Sequence, residues 1–142
     1  MMALAFLSFD LPTLSLQDSA QKSLKIMRSN NMNVISVLDK KQWIGNLTEE
    51  MLMKATHPDG KIDQFQHELN QIKIETEEDI LASLPFFEES GFWVIPVVDE
   101  QMKYQGYLPW QSVAKTLFYT GFNAQNGGII RISFHTQRDS MS

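Results

Sequence analysis

Cysteine is absent from this sequence of 142 residues. A chain without thiols forms no disulfide, builds no thiolate metal site and performs no thiol catalysis, and its composition suits a reducing cytoplasm. Basic side chains are also scarce, since 12 Lys and Arg stand against 17 Asp and Glu for a net charge of −5. Proteins that bind a phosphate backbone need a basic stripe, so we expect a cytoplasmic protein that does not bind nucleic acid.

Long apolar runs are absent too, and none approaches the roughly 20 residues that a membrane helix needs. The apolar N-terminus, Met1–Leu7, is short and lacks a basic flank, which predicts a first turn or helix packed on the core rather than a signal peptide. His57, His67 and His135 are too scattered for a metal site, and no nucleophile motif or phosphate-binding glycine loop occurs. We therefore expect no membrane partner, no metal and no catalytic residue.

One pattern, in contrast, occurs twice. Ile35–Asp39 and Ile95–Asp99 are each an apolar strand, followed by a polar reversal and a second short strand that ends at Gly45 or Gly106. The two aspartates lie 60 residues apart and the two glycines 61, because the second reversal is one residue longer. The apolar positions of the preceding helices keep the offset of 60 as well. Matches that run through helix, strand and turn in one order predict an internal duplication.

Local signals place the predicted elements of both copies. In the first copy we expect strand, helix, strand, strand and helix at 14–16, 20–27, 32–38, 43–47 and from 49 onward. After a connector with a short helix over 62–69, the second copy repeats this order at 72–74, 76–90, 92–98, 104–108 and 109–119. Thr76 to Asp79 has the form of a helix-capping box, Pro85 should kink or restart that helix, and Pro109 suits the first turn of the last one.

These elements predict an α/β (α+β) fold of two β-α-β-β-α units. The first unit covers residues 1–60 and the second covers 61–122. The remaining 123–142 hold one alternating strand, 129–134, and a polar stub, which together make no domain of their own.

In this order of elements the chain resembles a tandem pair of CBS domains, the module named after cystathionine beta-synthase. Ile95-Pro96-Val97-Val98-Asp99 is close to the family's strand motif, and Ile35-Ser36-Val37-Leu38-Asp39 is a looser match. Gly45-Asn46-Leu47-Thr48 resembles the family's segment before the last helix, and the resemblance covers residues from about 12 to 120. It implies that the units pack through their sheets about a pseudo-twofold axis and that two modules pair into a homodimer.

The resemblance also implies a regulatory, non-catalytic module that requires no cofactor. Such modules bind an adenosine-containing ligand, such as AMP, ADP, ATP or S-adenosylmethionine, in clefts between the units. The implied ligand-binding residues of the first unit are Ile35, Ser36, Val37, Gly45 and Thr48. Those of the second unit are Ile95, Pro96, Val97, Gly106 and Ser112.

The sequence departs from the family at the positions that serve the nucleotide. In the family, a hydroxyl residue after the glycine contacts phosphate, and an Asp three residues later binds the ribose. Thr48 keeps the hydroxyl but Met51 replaces the Asp, while Pro109 and Ser112 replace both residues in the second unit. Thr48 can equally be a plain helix cap, and the strand valines plain core. The alternative is a ligand-free structural dimerisation module whose function lies in a missing C-terminal domain or in a partner.

The tail carries a second resemblance. Gly127-Gly128 and the alternating strand after them resemble the opening of an ACT-like domain, which follows paired CBS domains in some bacterial proteins. On that interpretation the chain is a fragment of a longer protein. The alternative is an extra strand that pairs with the module or with a second subunit.

Overall fold

The computed structural model describes residues 2–121, the last two through their backbone only. Within that range the chain forms α1 (Ala20–Ser29), β1 (Val34–Asp39), β2 (Gln42–Thr48), α2 (Glu49–Met53), β3 (Ile74–Glu75), α3 (Leu84–Ser90), β4 (Val94–Val98), β5 (Tyr104–Pro109) and α4 (Trp110–Thr116). Short 3-10 turns cover Ala3–Phe6, Ile62–Phe65 and Ile80–Ser83, and a π-helical turn, Leu117–Gly121, extends α4. The predicted tail, 123–142, and its strand lie outside the described residues.

The two repeats share one hairpin architecture. β1 and β2 form a two-stranded sheet, and β3, β4 and β5 form a three-stranded sheet in that order. Both hairpins are antiparallel, and the strand register shifts after Val37 in the first and after Val97 in the second. Ile44 and Gln105 are therefore the extra residues of two equivalent β-bulges. A bulge at the same place in both hairpins is the structural counterpart of the sequence repeat.

Helix α1 forms where the sequence predicts it, because its caps and its apolar spacing agree. The Ser19 side chain accepts a hydrogen bond from Lys22 N at 3.3 Å, which satisfies one of the free amides at the helix start. Asn31 stands at φ 54° just beyond the C-cap, a conformation that Asn tolerates. Met27 is fully buried on the inner face.

The second helical segment starts later than the capping box predicts, so that prediction is wrong. Thr76 does not cap a helix, because its N–H donates to Val98 O at 3.0 Å and holds the residue beside the sheet. Asp79 caps instead, and its carboxylate accepts from Leu81 N at 2.8 Å at the head of a 3-10 turn. This backbone hydrogen bond lowers the pKa of Asp79.

Both prolines near helix starts are close to their predicted places. Pro85 lies in the first turn of α3, so the helix restarts there after the 3-10 turn, and Gly91 ends it at φ 72°. Pro109 is the N-cap of α4 rather than its first residue, because it still pairs with Val94 as the end of β5.

The leading strands and the connector are shorter than predicted. Strand 14–16 is reduced to a single parallel bridge between Leu14 and Val37, and 72–74 is replaced by the two-residue β3. The predicted helix over 62–69 is a 3-10 turn at its start. Strand length depends on the partner strand, which local propensity does not report.

Each repeat has its own hydrophobic core, and the repeats exchange a segment. Ala3 is fully buried in the core of the second repeat, whereas Ile62 is fully buried in the core of the first. Two isolated bridges extend the hairpin edges in the same way, between Ser8 and Tyr107 and between Asn70 and Asn46. The predicted division at residue 60 stays a prediction. Each hydrophobic core includes a segment from the other side of that division, with Ala3 in the second core and Ile62 in the first.

The two hairpins meet beside their turns. Trp43 N donates to Met102 O at 2.9 Å, and Tyr104 N donates to Lys41 O at 3.0 Å. These reciprocal bonds place β2 next to β5 about the pseudo-twofold axis that relates the repeats. The joined hairpins are therefore one of the contacts between the repeats.

Candidate functional site

The strand residues predicted to line the ligand clefts lie in the protein interior. All six are buried, namely Ile35, Ser36, Val37, Ile95, Pro96 and Val97. Ile35 and Val37 pack in the first core, and Ile95 and Val97 pack in the second. Protein covers both trios, and their predicted role in ligand binding stays a prediction.

A tyrosine of the second repeat fills the polar space beside Ser36. The Tyr107 hydroxyl accepts a hydrogen bond from Ser36 N at 2.8 Å and donates one to Pro12 O at 2.8 Å. The side chain is fully buried, and burial raises the pKa of Tyr107 to about 12 although the bond from Ser36 lowers it. The neutral phenol thus cross-links β5 to the first repeat and occupies the Ser36 amide.

Asn46 is the counterpart of Tyr107, because each residue directly follows the glycine of its hairpin. Asn46 Nδ2 donates to Ile72 O at 2.8 Å, as the Tyr107 hydroxyl donates to Pro12 O. Pro12 and Ile72 are themselves 60 residues apart. Each repeat therefore anchors the backbone that leads into the other repeat.

Ser36 and Trp43 complete this inter-repeat network. Ser36 Oγ donates to Asn46 Oδ1 at 2.9 Å, and Trp43 Nε1 donates to the same oxygen at 3.3 Å. Among the described residues, no buried side-chain nitrogen or oxygen lacks a partner. A ligand that reached the strand walls would have to break these bonds, and each buried group left unpaired costs about 1–3 kcal/mol.

Gly45 and Gly106 lie against neighbouring segments of the chain, 69–71 and 7–8, rather than against open space. A Cβ on Gly45 would stand 2.5 Å from Leu69 Cβ and 3.1 Å from Asn70 O. A Cβ on Gly106 would stand 3.1 Å from Ser8 O. The two φ angles are 151° and 149°, where a side chain is strained. The glycines allow the exchanged segments to lie directly on each hairpin.

The last two predicted residues, Thr48 and Ser112, are partly exposed near the starts of α2 and α4. Thr48 Oγ1 accepts from Met51 N at 3.1 Å, so Thr48 is the N-cap of α2, one of the two roles that the sequence left open. Ser112 lies inside α4, where its carbonyl accepts from Thr116 Oγ1 at 2.9 Å.

Asn33 and Trp93, 60 residues apart, tie the two helix starts together. Glu49 N at the start of α2 donates to Asn33 O, and Trp110 N at the start of α4 donates to Trp93 O. The Asn33 side chain also donates to Gly91 O at 2.9 Å and accepts from Trp93 N at 3.0 Å. The first amide of each helix is thus already bonded to protein rather than presented to an anion.

A pocket of about 380 Å³ opens beside α2. It is lined by Glu50, Met51, Lys54, Thr56, His57, Gln64, Phe65 and Glu68. Phe65 is buried and Met51 half-buried, so these two provide the apolar surface among polar side chains. Met51 stands where the CBS resemblance has the ribose-binding Asp. The volume lies within the range of about 300–1,000 Å³ that small-molecule sites occupy.

Gln64 fixes one wall of this pocket. Gln64 Nε2 donates to His57 O at 2.8 Å and to Lys61 O at 2.9 Å, while Oε1 accepts from His57 N at 3.2 Å. The loop after α2 is therefore held against the connector, and the pocket wall is formed before any ligand binds.

Sequence reasoning did not assign these inter-repeat contacts to Asn33, Asn46 or Tyr107. A signal for them does exist, because Asn46 and Tyr107 follow the repeated glycines, and Asn33 matches Trp93 at the offset of 60. Their partners are distant in sequence, so the pattern alone does not reveal the contacts.

Neither a metal site nor a membrane span occurs among residues 2–121. No group of three His, Asp or Glu side chains there could hold a metal ion. No helix there is both long enough and apolar enough to cross a bilayer.

Comparison with known proteins defines the class of fold. No family model and no curated protein sequence matches the chain. A CBS domain pair/ACT domain protein from Thermotoga maritima matches with a TM-score of 0.74 and 22% identity over 84% of this chain and 98% of its own. CBSX2 in complex with AMP matches with a TM-score of 0.70 and 14% identity, over 83% of this chain and 96% of its own. The CBS domains of a transcriptional regulator from Streptococcus pneumoniae match with a TM-score of 0.68 and 15% identity, over 81% of this chain and 98% of their own.

The chain therefore has the mixed α/β fold of a CBS domain pair, as its sequence predicted. Identities of 22% and below establish this fold alone. Function rests on the residues of the site.

Proposed function

We propose that this chain is a non-catalytic, cytoplasmic regulatory module that senses an adenosine-containing ligand in the pocket beside α2. The observation that carries the proposal is that Met51, at the position where the CBS resemblance has the ribose-binding Asp, lines this pocket. That CBSX2, with the same fold, is in complex with AMP adds support. Met51 belongs to the proposed site, Thr48 caps the helix that carries it, and the buried strand residues form the frame that positions α2.

The pocket lining favours a ligand with little negative charge. Glu50 and Glu68 face one lysine, Lys54, which itself pairs with Glu50 at 3.8 Å. Carboxylates accept hydrogen bonds from ribose hydroxyls or amines, and they repel phosphates. We therefore expect S-adenosylmethionine or AMP to bind better than ATP.

A thermal-shift series with AMP, ADP, ATP and S-adenosylmethionine tests the proposal. A ligand at a hundred times its dissociation constant stabilises the folded chain by about 2.7 kcal/mol, which raises the melting temperature by several degrees. Thr56→Trp should fill the exposed mouth of the pocket and abolish the shift. Met53→Trp is the matched control, because Met53 is an exposed residue of α2, three positions before Thr56 and outside the lining. No shift with any ligand at millimolar concentration would refute ligand sensing.

A second candidate function is structural dimerisation without a ligand. The closed strand walls favour it, because Tyr107 and Asn46 already use the polar groups between the repeats. Exposed aromatic side chains on the second repeat add support, since Trp93 is 52% exposed and Phe118 64%. Light scattering on the full chain tests this candidate, and a monomer at high micromolar concentration would count against it.

A further inference from the structure

The strongest hydrogen-bond donors of the pocket beside α2 are already used by the protein. Both N–H groups of Gln64 Nε2 are engaged, because they donate to His57 O at 2.8 Å and to Lys61 O at 2.9 Å. Lys54 is the only lysine or arginine that lines the pocket within the described part of the chain, and its ammonium pairs with Glu50 at 3.8 Å. A ligand that enters the pocket must therefore bring donors or positive charge of its own.

Glu68, in contrast, presents a carboxylate that no cation of the chain neutralises. It lines the same pocket and forms no ion pair with any residue among 2–121. Its backbone position is well defined, because its N–H donates to Phe65 O at 2.8 Å. Phe65 and Leu69, on either side of it, are both buried in the first core. The fold therefore holds an uncompensated negative charge at the pocket wall.

The apolar part of the lining also suits a cation. Phe65 contributes an aromatic ring and Met51 a polarisable thioether, the first buried and the second half-buried. A cation that carries methyl groups is attracted electrostatically to the face of an aromatic ring, and its methyl groups make apolar contacts. The pocket therefore combines a counter-ion, Glu68, with an apolar surface that a methylated cation can contact.

We propose that Glu68 is the counter-ion for a cationic group of the ligand, so that the pocket selects an adenosine whose 5′ side chain is positively charged over one whose 5′ side chain is neutral. This inference rests on the proposed function and names the residue that determines its specificity. S-adenosylmethionine meets the requirement, because its sulfonium centre is positive and bears a methyl group. S-adenosylhomocysteine lacks that methyl group and its charge but keeps every other heavy atom.

The exposure of Glu68 sets the size of the expected selectivity. Two opposite unit charges about 4 Å apart in water attract each other enough for roughly a fivefold difference in affinity, and less polar surroundings strengthen the attraction. Glu68 is an exposed residue, so the value for water is the appropriate starting point. S-adenosylmethionine should therefore bind about five- to tenfold more tightly than S-adenosylhomocysteine.

The competing role for Glu68 is a hydrogen bond to the ribose. Met51 stands where the CBS resemblance has the ribose-binding Asp, and a thioether is only a weak acceptor, so a neighbouring carboxylate could accept from the hydroxyl instead. A carboxylate in that role would contribute equally to ligands of either charge, because both carry the same ribose. The two roles therefore differ in whether the effect of removing the carboxylate depends on the charge of the ligand.

Isothermal titration of the full chain with both S-adenosyl ligands separates these roles. Glu68→Gln removes the charge and keeps the shape of the side chain, so the ratio of the two dissociation constants should fall to about one or two through weaker binding of S-adenosylmethionine alone. Sinefungin, which carries an ammonium in place of the sulfonium methyl, should lose affinity as S-adenosylmethionine does. Glu77→Gln is the matched control, because Glu77 is exposed, lies outside the lining and gives the same change in net charge. Thermal melting verifies that both variants are folded.

The outcomes distinguish this inference from ligand sensing itself. Equal affinity of the wild-type chain for the two S-adenosyl ligands would overturn the counter-ion role, while ligand sensing would stand. Parallel weakening of both ligands in Glu68→Gln would overturn it too and would assign the carboxylate to the ribose. An equal loss of selectivity in Glu77→Gln would attribute the effect to net charge rather than to the pocket. If neither S-adenosyl ligand nor AMP bound at millimolar concentration, ligand sensing and the counter-ion role would fall together.

Discussion

Replacing Tyr107 with phenylalanine tests whether one hydroxyl holds the repeats together. The substitution keeps the ring and removes the oxygen that accepts from Ser36 N and donates to Pro12 O, both at 2.8 Å. Ser36 is fully buried, so its N–H would lose its acceptor without gaining water. Pro12 is half-buried, so water can reach its carbonyl more easily. Most of the lost stability should therefore come from the unpaired Ser36 amide.

The expected cost follows from these two bonds. A buried donor left unpaired costs about 1–3 kcal/mol, and a hydrogen bond contributes about 1 kcal/mol, so Tyr107→Phe should destabilise the chain by about 2–4 kcal/mol. Urea unfolding at neutral pH measures it. Tyr104→Phe is the control, because Tyr104 is half-buried and its hydroxyl has no hydrogen-bond partner among the described residues, and about 0.5 kcal/mol or less is expected. Equal losses in the two variants would refute the cross-link.

The same hydroxyl has a signature at alkaline pH. Burial raises the pKa of Tyr107 from its usual 10.0 to about 12, so the folded chain keeps a proton that the unfolded chain releases earlier. The contribution of the neutral Tyr107 hydroxyl to the free energy of unfolding is therefore fully present below pH 10. It is lost as the pH rises to 12, and the loss reaches up to about 2.7 kcal/mol for two pKa units. Burial also raises the pKa of Tyr104, so Tyr107→Phe should make the alkaline loss smaller without removing it. Urea unfolding at several alkaline pH values measures the slope.

Two further substitutions test the hairpins by urea unfolding. Gly45→Ala should cost about 2–4 kcal/mol, because its Cβ would lie 2.5 Å from Leu69 Cβ at a φ of 151°. Gly91→Ala should cost only about 1–2 kcal/mol, since no atom lies within 4 Å and only the φ of 72° resists it, and equal costs would contradict the close approach. Lys41→Gly should stabilise by about 1 kcal/mol, because Lys41 stands at φ 75° in the first turn. Lys103→Gly, without a positive φ, should destabilise by about 0.5–1 kcal/mol, and a gain there would contradict the explanation.

Local signals predicted the parts of the fold that depend on neighbours in sequence. Thr48 caps α2 and Gly91 ends α3, because a cap needs only residues within one helical turn. The two hairpins were predicted for the same reason, since strand, turn and strand are contiguous. The repeat offset then extended these local predictions to the whole CBS-pair fold.

Contacts between distant residues decided what the sequence could not predict. Thr76 looks like a cap, but a hydrogen bond to Val98 keeps it beside the sheet. The CBS resemblance implied that Ser36 lines a ligand cleft, but the hydroxyl of Tyr107, 71 residues further along the chain, accepts a hydrogen bond from the Ser36 amide. No residue close to Ser36 in the sequence indicates that this hydrogen bond forms.

The repeats differ where they touch, and their differences compensate. Pro96 has no N–H, so its strand needs no acceptor there, and the short side chain of Asn46 bonds to Ile72 O instead. Ser36, at the equivalent position, does have an N–H, and the longer Tyr107 accepts it while still reaching Pro12 O. If Asn stood at position 107 as it does at 46, the Ser36 N–H would lack the phenol oxygen that accepts its hydrogen bond. If Tyr stood at position 46 as it does at 107, its hydroxyl would find no N–H donor at Pro96. Divergence of the duplicated halves therefore satisfies the hydrogen bonds between them.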